Sequence, residues 1–302
     1  MRVTHQMLSA QVIDSLQSAY RRLAAAQEAA ASGRRINRLS DDPLGAARAL
    51  SVRAVERSLE QYEKNLDTAM PLLEQADSIL EAVGDRLVRA KELALAMANV
   101  TNSSEQRLAA AMEVREILNQ LLSLANTKIE GRFIFAGFAN GAPPFVSSGV
   151  AVSYAGDAGE IMVPVSADRS LALNVPGDRI FQGAGSASGV DIFDVYLDLE
   201  SALQNNDTDG ADGIRAQLGR LDAAIEQILR FRAEIGARLN SAQAAKDAAA
   251  LMKLQWRERR SEIEDADAVA AYSDFARYQA AFQAALQSAA RTLQPSLLEF
   301  LR

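Results

Sequence analysis

Between Val52 and Met97, apolar residues recur at alternating steps of three and four: Val52, Val55, Leu59, Tyr62, Leu66, Ala69, Leu73, Ala76, Leu80, Val83, Leu87, Ala90, Ala94 and Met97. That period is the seam of a long α-helix packed against other helices. At about 1.5 Å per residue the seam spans roughly 70 Å, so the expected object is a rod. From Leu66 onward large residues alternate with alanine, which suits close interdigitation of neighbouring helices. Pro71 falls inside the seam, where it costs roughly 3 kcal/mol and should kink the helix. The register survives it, and burying Leu66, Leu72 and Leu73 contributes about 1.5–3 kcal/mol each. One bent helix is expected.

The segments on either side repeat the pattern. Val12, Leu16, Ala19, Leu23, Ala26 and Ala30 form a stripe that ends at Ser32-Gly33, where glycine can close a helix in the left-handed conformation. A lone helix of that length is marginal in water, so it needs a partner. In the following stretch Ser40, Asp41 or Asp42 can cap the next helix, with Pro43 at its first turn. Ser103 or Ser104 can cap a third helix, striped by Leu108, Ala111, Val114, Leu118, Leu121 and Ala125. Short connections make these neighbours antiparallel.

Composition excludes several functions. There is no cysteine among 302 residues, which removes disulfides, thiolate chemistry and most structural zinc sites. The net charge is −7 and the basic residues are dispersed, which argues against nucleic acid. No apolar run reaches 18 residues and the start lacks a signal-like apolar core, so neither membrane insertion nor a cleaved signal is expected. His5 is the only histidine, and no serine stands in a Gly-x-Ser-x-Gly setting. With Asp41 and Asp42 read as a helix cap rather than a metal or acid–base pair, no catalytic site, cofactor or metal is expected.

Residues 131–174 change character. Short apolar runs at Phe133–Phe135, Val150–Tyr154, Ile161–Val165 and Leu171–Val175 are separated by turn residues, which predicts a small β-rich insert. Asp191–Gln204 reads as a short helix, and Asn205–Gly210 as a surface turn rather than a calcium loop. The long-helix pattern returns with Leu218, Leu221, Ile225, Ile228, Ile235, Leu239, Ala242 and Ala249. Arg232, Lys246 and Lys253 stand on that seam and can snorkel or meet carboxylates across the bundle. Ser261 and Glu264 fit a capping box, or the residues to Asp267 form a solvated acidic spacer. A last stripe holds Phe275, Gln279, Phe282, Leu286, Ala289 and Leu293, followed by apolar Leu297, Leu298, Phe300 and Leu301.

Asp42 and Asp265 lie at similar distances from the two ends, so antiparallel terminal helices bring them to one height. Val12, Leu16 and Leu23, with Phe275, Phe282, Leu286, Leu293, Leu297 and Phe300, are the candidate assembly surface. The fold expected is mainly α: an elongated rod of long antiparallel helices with paired amino- and carboxy-terminal helices and a small β-rich insert.

Gly33-Arg34-Arg35-Ile36-Asn37, then Ser40-Asp41-Asp42-Pro43 and Asn65, resemble the amino-terminal region of bacterial flagellins. Arg238-Leu239-Asn240 and Ile263–Asp267, including Asp265 and Asp267, resemble the matching carboxy-terminal region. Pro43 stands where flagellins usually carry alanine. The run Leu124–Gly137, with Asn126, Thr127 and Gly131, is similar instead to the hook-associated protein 3 family, as are Gln294–Leu301 and Tyr154-Ala155-Gly156-Asp157 leading to Val175–Phe181. The resemblance implies a structural subunit at the junction of hook and filament, with flagellin itself as the alternative. It implies a division into a terminal assembly domain (1–40 with 265–302), a helical rod domain (41–130 with 213–264) and a β-rich outer domain (131–212). The implied partners are the preceding hook-associated protein, flagellin, copies of the chain itself, and a cytoplasmic export chaperone at the carboxy-terminal helix. The implied location is the extracellular flagellum, reached through the flagellar channel.

Overall fold

The computed structural model describes the backbone of residues 5–293 and the side chains of residue 7 and residues 10–290. Two compact units result: residues up to Leu59 together with those from Leu251 onward, and Glu60–Ala250. Two long helices, α2 (Pro43–Met97) and α6 (Ile214–Glu264), contribute to both. The first unit adds α1 (His5–Ser32) and α7 (Ala268–Leu293), which pack on each other.

In the second unit the long seam does what its period requires. Leu66, Leu73, Leu80, Val83, Leu87, Ala90 and Ala94 of α2 are buried against α3 (Ser104–Ala125) and against Leu221, Ile228, Ile235 and Ala242 of α6. Pro71 lies within a continuous α2 at an exposed position. Cations of the α6 seam find carboxylates on α2: Arg232 meets Asp77 at 3.1 Å and Glu81 at 3.6 Å, and Lys246 meets Asp67 at 2.7 Å.

The start of α3 departs from its stripe. Ser103 caps it in a reciprocal capping box with Gln106, but Leu108 is exposed and Arg107 is buried instead. The Arg107 guanidinium donates to the carbonyls of Met97 (3.2 Å) and Asn99 (2.8 Å) and to the Asn206 side chain. A guanidinium so supplied with acceptors is tolerated inside, and it ties the turn after α2 to the Asn205–Gly210 loop.

The insert is three separate antiparallel hairpins: β1 (Lys128–Ile129) with β2 (Arg132–Phe133), β3 (Phe145–Ser147) with β4 (Val152–Tyr154), and β5 (Met162–Pro164) with β6 (Ser170–Ala172). The first hairpin turns on Glu130 and Gly131, both at positive φ, as a two-residue turn matched to strand twist requires. Helices α4 (Gly177–Phe181) and α5 (Ile192–Gln204) follow. Asp191 caps α5 through the amides of Phe193 (2.9 Å) and Asp194 (3.2 Å), and burial raises its carboxyl above the ordinary value. Phe135, Phe145, Phe181 and Phe193 stack within 5.0–5.7 Å and anchor the insert to the helical core.

Three motif residues hold this arrangement. Asn126 acts as a strand segment made of side chain, donating to the Phe145 carbonyl (2.8 Å) and accepting from its amide (3.0 Å). Thr127 closes α3 by donating to Leu124 O at 2.8 Å. Asn65 of α2 donates to the Pro164 carbonyl at the edge of β5 (2.8 Å). The Tyr154 hydroxyl donates to the Phe135 carbonyl (2.8 Å), with the Asp157 carbonyl at 2.9 Å, and burial pushes the phenol up to about 12.

Tyr154→Phe removes that donor, leaving the Asp157 carbonyl without it while the Phe135 carbonyl keeps the Gly177 amide at 2.8 Å, and is expected to cost about 1–2 kcal/mol. An unfolded tyrosine ionises near pH 10. The hydroxyl's contribution is therefore full below pH 10 and lost as pH rises through about 12. Urea denaturation should show the gap between wild type and Tyr154→Phe closing across that alkaline window.

Candidate functional site

The feature that organises the first unit is an antiparallel clasp between the loop after α1 and the connection from α6 to α7. Gly33, at φ +68°, ends α1, and its N–H donates back to Ala29 O at 2.9 Å. The Gly33 carbonyl accepts from Ala266 (2.9 Å), the Arg35 amide donates to the Glu264 carbonyl (2.7 Å), and Arg34 bridges Asp265. The Arg35 guanidinium donates to the Ile263 carbonyl (2.9 Å) and reaches Asp42 at 3.4 Å.

Each acidic residue of the motif has a separate task. Asp41 Oδ2 accepts from the amides of Asn37 (3.1 Å) and Arg38 (2.7 Å) and so fixes the loop. Asp42 caps α2: its side chain accepts from Gly45 N–H (2.9 Å) and its carbonyl accepts from Ala46, with Pro43 at the first helical position. The Gly45 amide, and behind it Arg35, hold the Asp42 carboxyl below the usual carboxylate range. A Cβ at Gly45 would stand 2.4 Å from Asp42 Oδ2 and 2.6 Å from Ile36 Cδ1, so any larger residue there must displace the capping carboxylate or the Ile36 side chain. Asn37 Nδ2 donates to the Arg34 carbonyl (3.1 Å), while Ser40 sits on the exposed turn.

Across the clasp the structure corrects the sequence reading. Ser261 does not start a helix, because α6 continues to Glu264; its hydroxyl donates to Asp265 at 2.5 Å. Nor is the acidic run wholly solvated. Glu264 is 3% exposed and paired with Arg53 at 2.8 Å, and Glu56, also buried, pairs with Arg260. The cap of α7 is Asp267, which accepts from Val269 (2.8 Å) and Ala270 (3.2 Å). Asp267→Ala is expected to cost about 1 kcal/mol, seen as earlier loss of helical circular dichroism from the first unit on heating.

Beyond the clasp α1 and α7 run antiparallel. Tyr20 and Phe282 approach to 5.8 Å between ring centroids, and Ala26 and Ala29 face Ala271 and Tyr278. Val12, Leu16, Leu23, Phe275 and Phe282 are each half-buried in this seam, and Leu286 is exposed. Further apolar side chains stand in the open on these helices: Ile13, Val269 and Tyr272. The side chain of Leu293, and Leu297 and Phe300 altogether, lie outside the described residues. Among the described residues no cluster of three His, Asp or Glu side chains is placed to hold a metal ion, and no helix is long and apolar enough to cross a membrane.

Residues 3–140 match the family model of the bacterial flagellin N-terminal helical region, and residues 218–301 that of the flagellin C-terminal helical region. The chain belongs to the flagellin family. It is 28% identical to flagellar hook-associated protein 3 of Escherichia coli over 86% of this chain and 87% of that protein. It is 26% identical to the Salmonella typhimurium protein of the same name, over 95% and 96%. Its fold matches the crystal structure of flagellar hook associated protein-3 from Legionella pneumophila with a TM-score of 0.61 at 17% identity, over 70% of this chain and 98% of that one. The clasp and the first hairpin fall inside the two matched stretches, and the second and third hairpins fall between them.

Proposed function

We propose that this flagellin-family chain is a structural subunit of the bacterial flagellum, joining the hook-associated region to the flagellin filament. The observation that carries the reading is the half-finished surface of the α1–α7 pair. Each helix half-covers the other, and a row of apolar side chains is left facing out, as a subunit that completes itself on neighbours requires. Residues 1–40 with 265–302 would serve assembly, 41–130 with 213–264 the helical body, and 131–212 the outer face. The motif residues of the clasp, Gly33 through Pro43 with Asp265 and Asp267, position these helices rather than perform chemistry.

Under this reading the partners are the preceding hook-associated protein, flagellin and further copies of the chain. A cytoplasmic chaperone covers the carboxy-terminal helix before export through the flagellar channel. The test adds purified chain to isolated hooks bearing the preceding hook-associated protein, then flagellin, and images growth. Filaments are expected only when the chain is supplied. Equal growth without it overturns the junction role, and unaided growth of the chain into long filaments indicates a filament subunit.

A further inference from the structure

A cavity of about 180 Å³ lies within the Glu60–Ala250 unit, between α2 and the first hairpin. Its walls are apolar: Leu72 and Leu73 of α2, Ile129 of β1, Phe133 of β2, Leu173 just after β6, and Ile235 of α6. Ala76, one turn beyond Leu72, brings only a methyl group to the same wall, so space that a larger side chain would fill stays open.

The exposed members of the lining, Thr68, Glu130 and Arg132, mark the opening. Asn140 stands half-buried in the wall. Its backbone carbonyl accepts the Phe133 amide at 3.3 Å, while its side-chain amide has no partner among the described residues.

Size and lining together say what fits. A cavity of about 150 Å³ walled by Leu, Ile and Phe stays dry and takes up benzene. Glu130 and Arg132 carry opposite charges at the opening, which favours neither an anion nor a cation; the guest is uncharged. The Asn140 amide supplies one hydrogen bond to a polar group on it, and Phe133 gives a ring an aromatic neighbour.

We propose that this cavity is a binding site for a small uncharged aromatic molecule with one hydrogen-bonding group, of the size of phenol or indole, its ring among the apolar walls and its polar group on the Asn140 side chain. The site belongs to the second unit alone, and it stands whether or not the chain joins hook to filament. A guest that touches α2 and the hairpin together stabilises the folded unit by mass action.

Indole titrated into the purified full-length chain tests it. Calorimetry should show one site per chain with a Kd of about 1 mM or tighter. At about ten times that concentration the unfolding transition of the Glu60–Ala250 unit should rise by about 3–6 °C. Ala76→Phe, which fills the space, should weaken binding about tenfold or more. Asn140→Ala should weaken indole about fivefold and leave benzene unchanged. Should Ala76→Phe fold poorly, isotope-labelled isoleucine methyl groups locate the guest in the wild type, with shifts expected at Ile129, Ile134, Ile161 and Ile235. Absence of saturable heat, undiminished binding in a folded Ala76→Phe chain, or shifts confined to other isoleucines overturns the proposal. So does self-association that Ala76→Phe abolishes and indole reverses, since a side chain of a neighbouring copy would then be the occupant.

Discussion

A chain lacking residues 1–32 is expected to keep the cooperative unfolding of the Glu60–Ala250 unit and to lose assembly entirely. The core of that unit is drawn from α2, α3, α4, α5, α6 and the hairpins, and no described side chain of α1 belongs to it. In the first unit, by contrast, α1 is what faces Phe282, Tyr278 and Ala271 of α7. An α7 of 26 residues stripped of its partner is a marginal helix with an apolar face in water. Calorimetry and circular dichroism should therefore retain one transition and lose the other, while sedimentation and hook binding fall to background. Collapse of all helical signal would mean that the two units are not independent.

The long seam was readable because its period is intrinsic to the sequence: fourteen positions of α2 keep a three-four step, and a packed helix is the structure that satisfies them. Gly33 and Pro43 were readable for the same local reason, as a left-handed stop and a first-turn residue. What the sequence hides is set by partners far along the chain. Arg107 displaces Leu108 from the stripe because acceptors arrive from Asn99 and from Asn206, 99 positions away. Ser261 and Glu264 have the spacing of a capping box, yet the helix runs through them because Arg53 is waiting for the carboxylate. The hint was there in outline, since Arg53 and Glu56 flank one seam while Arg260 and Glu264 are four apart on the other. Pairing them needs the knowledge that the two ends meet. Phe145–Ser147 escaped as a strand because Pro143-Pro144 precede it; it pairs with Val152–Tyr154 on one side, and at Phe145 the side chain of Asn126 bonds the backbone from across the chain.

That buried pair also carries the second large effect. Arg53→Met is expected to destabilise the first unit by about 3 kcal/mol, because it leaves the Glu264 carboxylate, 4% exposed, without its cation. Glu264→Gln should cost nearer 1 kcal/mol, since the Arg53 side chain is 38% exposed and its head can swing to water. For a unit of roughly a hundred residues the first change lowers the midpoint of thermal unfolding by about 10–15 °C, and the second by about 5 °C. In the Arg53→Met/Glu264→Leu double variant most of the loss should be recovered, because neither charge then remains to be solvated. Equal costs for the two single variants would mean that Glu264 is not desolvated and that the pair is an ordinary surface contact. The consequence reaches assembly through the main chain: the Glu264 carbonyl is the acceptor that holds the Arg35 amide at 2.7 Å, so a residue that leaves its buried seat releases the clasp that sets α1 against α7. Arg53→Met should accordingly weaken self-association at temperatures below its own unfolding, whereas Glu264→Gln should leave it near wild type.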